Sequence, residues 1–319
     1  MVLQKRYVYC PGGPLMDCHA ATLVELADGT LLCAWYAAEG PDTAIYGARL
    51  APGDREWREW NVLTDTPGFS DGNPVLLRDN HNRLWLFFVT RFGDRWDTCQ
   101  VKFCHSLDAG QSWGDPYLLR ADWGWMTGCK PLLRPDGTIL LPLYAERGGA
   151  FVLRTEDGGM HWEMSQVVQN RTGVIQPSIA PLSHGRLLML LRTCEKARGT
   201  IWQAFSGDDG RTWSNPERTA LPNPGARIDL IRLHSGRMAL AFNDSSEART
   251  PLTVALSEDE GRTWPVRLDL EVGNREYSYP TLLQTRDNLL HIVYTCYHTH
   301  IAHLTCDEAY ILAHGRIVP

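Results

Sequence analysis

The sequence predicts an all-β fold, a six-bladed β-propeller with Asp-box turns. Three observations carry that prediction: a turn motif recurring at a fixed spacing, a hairpin pattern interleaved with it, and the absence of long helical periodicity. The motif is Ser/Thr-x-Asp-x-Gly-x-x-Trp, at 106–113, 155–162, 206–213 and 257–264, and its tryptophans fall 49, 51 and 51 residues apart. A weaker copy, Asp54-Arg-Glu-Trp57, ends 56 residues before Trp113. Across 319 residues a period of about 53 leaves room for six units. Each motif residue has a task in a tight turn: the Asp carboxylate accepts from backbone N–H groups, Gly supplies a positive φ, and Trp packs back as an apolar plug.

The hairpins come between the turns. Apolar strand, polar turn, apolar strand recurs at 21–35, 74–88, 131–144, 177–192, 228–242 and 280–294, with turn pairs such as Asp28-Gly29, Asp136-Gly137 and Ser235-Gly236. Hairpin, strand, motif turn and strand make four strands per unit. Six such units arranged radially leave only short, protected edges. The segment Tyr7-Val8-Tyr9 is expected to close the last blade beside Ile311 or Ile317. No linker-like stretch interrupts the chain, so residues 1–319 read as one domain.

Composition narrows the function. With 44% hydrophobic and 21% charged residues the chain can bury a full core. The formal charge of −6 argues against a nucleic-acid partner, which needs clustered Lys and Arg. No run reaches the roughly 18 apolar residues of a membrane helix, and the first ten residues lack a basic-then-apolar signal, so a cytoplasmic protein without a membrane partner is expected. The nine cysteines are odd in number and show no CxxC spacing, which fits reduced, structural thiols.

Equivalent strand positions on a propeller reach equivalent places, so residues about eight before each hairpin turn should ring the channel mouth. That ring reads His19-Ala20, Gly72-Asn73, Thr127-Gly128, Ile175-Gln176, Ala226-Arg227 and Ser278-Tyr279. Polar groups converging on an axis mark a binding site.

With its four Asp boxes and the opening Cys18-His19-Ala20-Ala21-Thr22, the chain resembles the sialidase superfamily, in particular its neuraminidase-like propellers. The resemblance covers essentially the whole chain and implies an exo-acting glycoside hydrolase for an acidic sugar. In sialidases three arginines clamp the substrate carboxylate, a Tyr assisted by Glu is the nucleophile, and an Asp is the acid/base. The resemblance gives Arg249, eight residues before Ser257, and Arg192, ending Leu-Leu-Met-Leu-Leu-Arg, clamp roles. It gives Tyr279 the nucleophile's place and Asp42 that of the acid/base. The family's first clamp arginine is His19 here, and its Glu is Gln176, an amide that takes no proton at neutral pH. Related propellers with this His-containing opening include uronate lyases, in which His and Tyr carry the proton work.

The site expected from these readings has Tyr279, His19 and Asp42 in catalysis, and Arg192, Arg249, Arg227, Gln176, Asn73 and Trp125 in substrate binding. Arg227 is taken as a third cation and Trp125 as a sugar-stacking surface. No cofactor or metal is expected: His298, His300 and His303 suggest a metal cluster at first sight, but lie on a strand without further ligands. The expected partner is an acidic oligosaccharide, with the oligomeric state open. Three functions stay open: a hydrolase, a lyase that eliminates across a uronate, and a non-catalytic glycan-binding propeller.

Overall fold

Each hairpin repeat forms the inner half of a four-stranded antiparallel sheet, and six such sheets surround one axis in a computed structural model that describes residues 3–10, 12–58, 60–194 and 199–318. Blade I runs Met16–Glu25, Leu31–Ala38, Thr43–Leu50 and Asn61–Thr64, and blade II Ser70–Arg78, Leu84–Arg91, Cys99–Ser106 and Tyr117–Leu118. Blade III has a broken inner strand, Trp125–Thr127 then Leu132–Leu133, followed by Ile139–Ala145, Ala150–Thr155 and Glu163–Met164. Blade IV consists of Val174–Pro181, Leu187–Thr193, Thr200–Ser206 and Glu217–Pro222. Blade V comprises Asp229–Arg232, Met238–Asn243, Leu252–Ser257 and Val266–Glu271. Blade VI combines Tyr277–Gln284, Leu289–Cys296 and His300–Asp307 with the N-terminal strand Gln4–Tyr9. The second strands, such as Leu84–Arg91 and Leu187–Thr193, are almost wholly buried, because both faces of each blade pack on a neighbour.

The N-terminal strand does close the last blade, but beside His300–Asp307, with Gln4 opposite Thr305. Ile311 lies instead in the helix Glu308–His314, and Ile317 in the strand Arg316–Ile317 on the outer edge of blade V. Asp307 is the reason. Its carboxylate caps the helix by accepting from the Tyr310 N–H at 2.7 Å, which turns the chain off the sheet and leaves that edge free.

The four motif turns share one geometry. In the first, the Ser106 hydroxyl donates to Asp108 at 2.7 Å and accepts from the Gly110 N–H at 2.7 Å, while Asp108 also accepts from the Ser112 N–H at 3.0 Å. Asp157, Asp208 and Asp259 repeat the pattern with Thr155, Ser206 and Ser257. These hydrogen bonds hold all four carboxyls below the usual carboxylate range, as expected of groups committed to structure. The weaker copy differs: Asp54 has no Ser or Thr two residues before it, and its carboxylate pairs with Arg58.

Four inner strands carry the same irregularity. Ala20, Asn73, Gln176 and Tyr279 have φ of 56°, 48°, 52° and 55°, and at each the pairing with the second strand slips. Such a bulge breaks the strand's alternation and re-aims a side chain. Left-handed backbone at residues with a Cβ costs on the order of 1 kcal/mol or more each, and such strain clusters at functional sites.

Candidate active site

Three of these residues, Asn73, Gln176 and Tyr279, with Ala20's neighbour His19, open into a cavity of about 270 Å³ at the axis, and all six blades contribute to its wall. Blade I supplies His19 and Tyr36, blade II Asn73 and Trp96, and blade III Met126, Tyr144 and Glu146; blades IV, V and VI supply Gln176 with Arg192, Arg249, and Tyr279 with His298. The ring positions therefore bring His19, Asn73, Gln176 and Tyr279 together, along with Arg192 and Arg249.

Tyr279 is at the centre. Its hydroxyl accepts from Nε2 of Gln176 at 3.4 Å, and Gln176 Oε1 accepts from Nε of Arg192 at 2.7 Å. Two guanidinium carbons, those of Arg249 and Arg227, stand 5.3 Å from the Tyr279 ring centroid. Burial alone would raise the phenol's pKa. The charges of Arg192, Arg249 and Arg227, with the Gln176 hydrogen bond, outweigh it and hold the phenol below its ordinary value. Tyr144, bonded to the same amide at 3.3 Å, is pushed well up by burial and stays a neutral phenol.

His19 packs against Tyr279 with centroids 4.1 Å apart and stacks on His298 at 4.1 Å and 22°. Burial first, then His298, Arg249 and Arg227, holds its pKa well below the ordinary histidine value, so the imidazole is neutral at pH 7. His19 therefore puts no cation where the resemblance implies the first clamp arginine. His298 donates from Nε2 to Glu276 at 2.9 Å, and the same carboxylate oxygen receives Arg249 at 2.6 Å and the Ser278 hydroxyl at 2.5 Å. Burial opposes ionisation of Glu276, but these donors prevail and hold its carboxyl well below the usual range. Arg249 is thus fixed from behind, as a positioned guanidinium must be to act as a fork.

Three expected residues lie elsewhere. Arg227 is buried under Tyr279, with its Nη atoms on the carbonyls of Gly128, Ala21, Tyr279 and Pro280 and on the Thr281 hydroxyl at 2.7–3.3 Å. Those donors are committed to the central backbone, and Arg227 is absent from the cavity wall. Trp125 faces the other way along its strand from Met126, packing on Phe151 at 4.4 Å with Arg120 over its ring; the indole in the cavity wall is Trp96. Asp42 is half-buried outside the wall, and its carboxylate accepts from the Ser70 hydroxyl at 3.4 Å. The three histidines disperse as well: His298 faces the cavity, His300 contacts Tyr7, and His303 is buried against His291. Among the described residues no cluster of three or more His, Cys, Asp or Glu could hold a metal ion.

Residues 29–292 match the model of the BNR repeat-like domain. The chain belongs to the BNR repeat-like family. It is 26% identical over 312 residues to a sialidase of Micromonospora viridifaciens, covering 82% of this chain and 47% of that protein. It is 23% identical over 273 residues to Sialidase-2 of Cricetulus griseus, covering 70% of this chain and 71% of that one. The chain thus spans about half the length of the first relative. The solved Hadza microbial sialidase Hz136 superposes with a TM-score of 0.84 at 20% identity, over 96% of this chain and 69% of that chain, a likeness of fold. In this BNR repeat-like propeller, counting to ring positions missed Tyr36, Tyr144, Glu146, Trp96 and His298. The first two had a readable signal: Tyr36 pairs with His19 and Tyr144 with Met126, just as Arg192 pairs with Ile175. Extending the count to the far end of each second strand finds them.

Proposed function

We propose that this propeller is an exo-acting glycoside hydrolase that releases a terminal acidic sugar, sialic-acid-like or uronic. The observation that carries this reading is a phenol held below its ordinary pKa in a cavity flanked by two arginines from different blades. Arg192 and Arg249 receive the sugar carboxylate, which planar guanidinium groups match better than ammonium groups do. At about 270 Å³ the cavity lies at the lower end of small-molecule sites, a size that suits one sugar unit rather than a chain interior.

In the first step Tyr279, ionised with its proton given up to solvent, forms a bond from its oxygen to the anomeric carbon as the bond to the leaving oxygen breaks, and a carboxylic acid gives that oxygen its proton. In the second, water attacks the same carbon, its proton returns to the carboxylate, and Tyr279 leaves as phenolate. Gln176 orients the phenol without accepting its proton, and the arginines favour the phenolate. The proton is assigned to Asp42, which stands outside the cavity wall and reaches the leaving oxygen only when its loop, joining two strands of the blade that also supplies His19 and Tyr36, turns the carboxyl inward. Sialidase homologues at low identity support the reaction class.

Incubation with α-sialosides, glucuronides and galacturonides, read by mass and ultraviolet absorbance, tests the reading. A product that has gained water, and Tyr279 labelled by a fluorinated acidic glycosyl fluoride, are expected. An unsaturated product would move the neutral His19 and Tyr279 into a lyase mechanism. Binding without any product would leave a glycan-binding propeller. Asp42→Asn is expected to spare activated aryl glycosides and to slow natural leaving groups.

A further inference from the structure

Glu146 lies in the cavity wall beside Tyr144, Met126, Trp96 and Arg192, yet its side chain makes no hydrogen bond or ion pair with any described residue. Its position is nonetheless defined. It directly follows the strand Ile139–Ala145, and its backbone N–H donates to Gly124 at 2.8 Å. The other ionisable side chains that line the wall beside it have partners: Arg192 has Gln176, Arg249 has Glu276, and the His298 ring has Glu276. A partly desolvated carboxylate with free acceptors is costly unless something donates to it. Burial accordingly raises its pKa, against the opposing pull of Arg192. In a sugar-sized cavity, donors come from the ligand, as hydroxyl or amine groups. An anionic substituent at the same place meets like charge.

We propose that Glu146 is a specificity-determining residue of this cavity: it accepts hydrogen bonds from the hydroxyl-bearing end of the acidic sugar and rejects sugars carrying a second anion there. This inference rests on the acidic-sugar reading above and refines it. The ligand carries one carboxylate for Arg192 and Arg249, and uncharged donor groups opposite.

Calorimetric titration of the full chain with N-acetylneuraminic, glucuronic and galacturonic acids and their mono-O-sulfated forms tests it, with turnover of the matching glycosides measured in parallel. For the acid that the wild type binds best, Glu146→Ala is expected to weaken binding about 10-fold or more, and Glu146→Gln, which keeps an acceptor, by less. Glu146→Lys should reverse the preference between the parent acid and a sulfated form. That reversal is a ratio within one variant, so a general loss of folding does not imitate it. Affinity in Glu146→Ala within about 2-fold of wild type, or a preference unmoved in Glu146→Lys, overturns the inference. Glu146-dependent binding with no turnover removes the hydrolase reading and leaves this one standing. Binding of none of the acids overturns both.

Discussion

Gln176 links Arg192 to Tyr279, accepting from the guanidinium at 2.7 Å and donating to the phenol oxygen at 3.4 Å. An amide in this place supplies a dipole where a carboxylate would supply a base. The phenolate is therefore favoured by its electrostatic surroundings rather than by proton transfer to a neighbour. The expected signature is spectroscopic. In an ultraviolet titration Tyr279→Phe should remove an early-titrating tyrosine, and Arg192→Ala or Arg249→Ala should move that tyrosine to higher pH, since each removes a lowering charge. A phenol that titrates unchanged in Arg249→Ala would contradict this account.

Arg249→Ala should also cost function. Truncating one partner of a desolvated, hydrogen-bonded charge pair typically costs about 2–5 kcal/mol, so kcat/KM for acidic glycosides is expected to fall roughly 10²-fold or more. Neutral glycosides serve as the comparison, and an equal loss on both would remove Arg249 from carboxylate recognition.

Arg227 should behave differently. Its donors satisfy carbonyls from blade I, blade III and blade VI at the centre of the ring. Replacing it with Met strands those acceptors, and a stability loss of about 3–5 kcal/mol is expected in chemical denaturation. A variant that folds with unchanged stability but binds acid weakly would return Arg227 to the ligand.

His19→Phe keeps an aromatic ring against Tyr279 and His298 while removing the imidazole nitrogens. If His19 takes part in proton transfer, kcat should drop about 10²-fold with KM little altered. A rate within a few-fold of wild type would reduce His19 to packing.

Two buried groups set opposing acid responses. His291, its ring 5.1 Å from that of His303, is pushed down to about 4, chiefly by burial. The unfolded chain, with histidine near 6.5, then takes up a proton that the folded state refuses, so stability falls as pH drops from about 6.5 to 4. Asp71, fully buried and bonded to Thr90 at 2.6 Å, is pushed up by burial to about 6. Its folded form binds the extra proton, so its contribution rises as pH falls from about 6 toward the ordinary carboxylate value. Asp71→Asn is expected to stabilise the protein at pH 7 by about 1–3 kcal/mol and to make the loss on acidification steeper. Melting temperatures at pH 7 and pH 5 check both signs.

The architecture was readable because its cause is repetitive. Ser106, Thr155, Ser206 and Ser257 with their Asp and Gly partners form the same local hydrogen bonds in four places, and local bonding survives in sequence as spacing. Counting along strands located His19, Asn73, Gln176 and Tyr279 for the same reason. It failed where direction depends on packing across the chain. Arg227 occupies a ring position, yet three other blades offer it carbonyls across the centre, and Trp125 is one residue out of phase with Met126. Glu276 and His298 are 22 residues apart, and only blade VI folding back on itself brings them to 2.9 Å.

The strand Gln4–Tyr9 must wait, unpaired, until residues near Thr305 have been made. Joining segments about 300 residues apart costs roughly 5 kcal/mol of loop entropy, which the ladder and the packing of Tyr9 on Trp35 and Trp60 must outweigh. Until then the circle stays open, with the edge of His300–Asp307 bare. At high protein concentration the same vacancy can take that strand from another copy, so strand-exchanged dimers are expected after refolding, checked by size-exclusion chromatography against protein concentration.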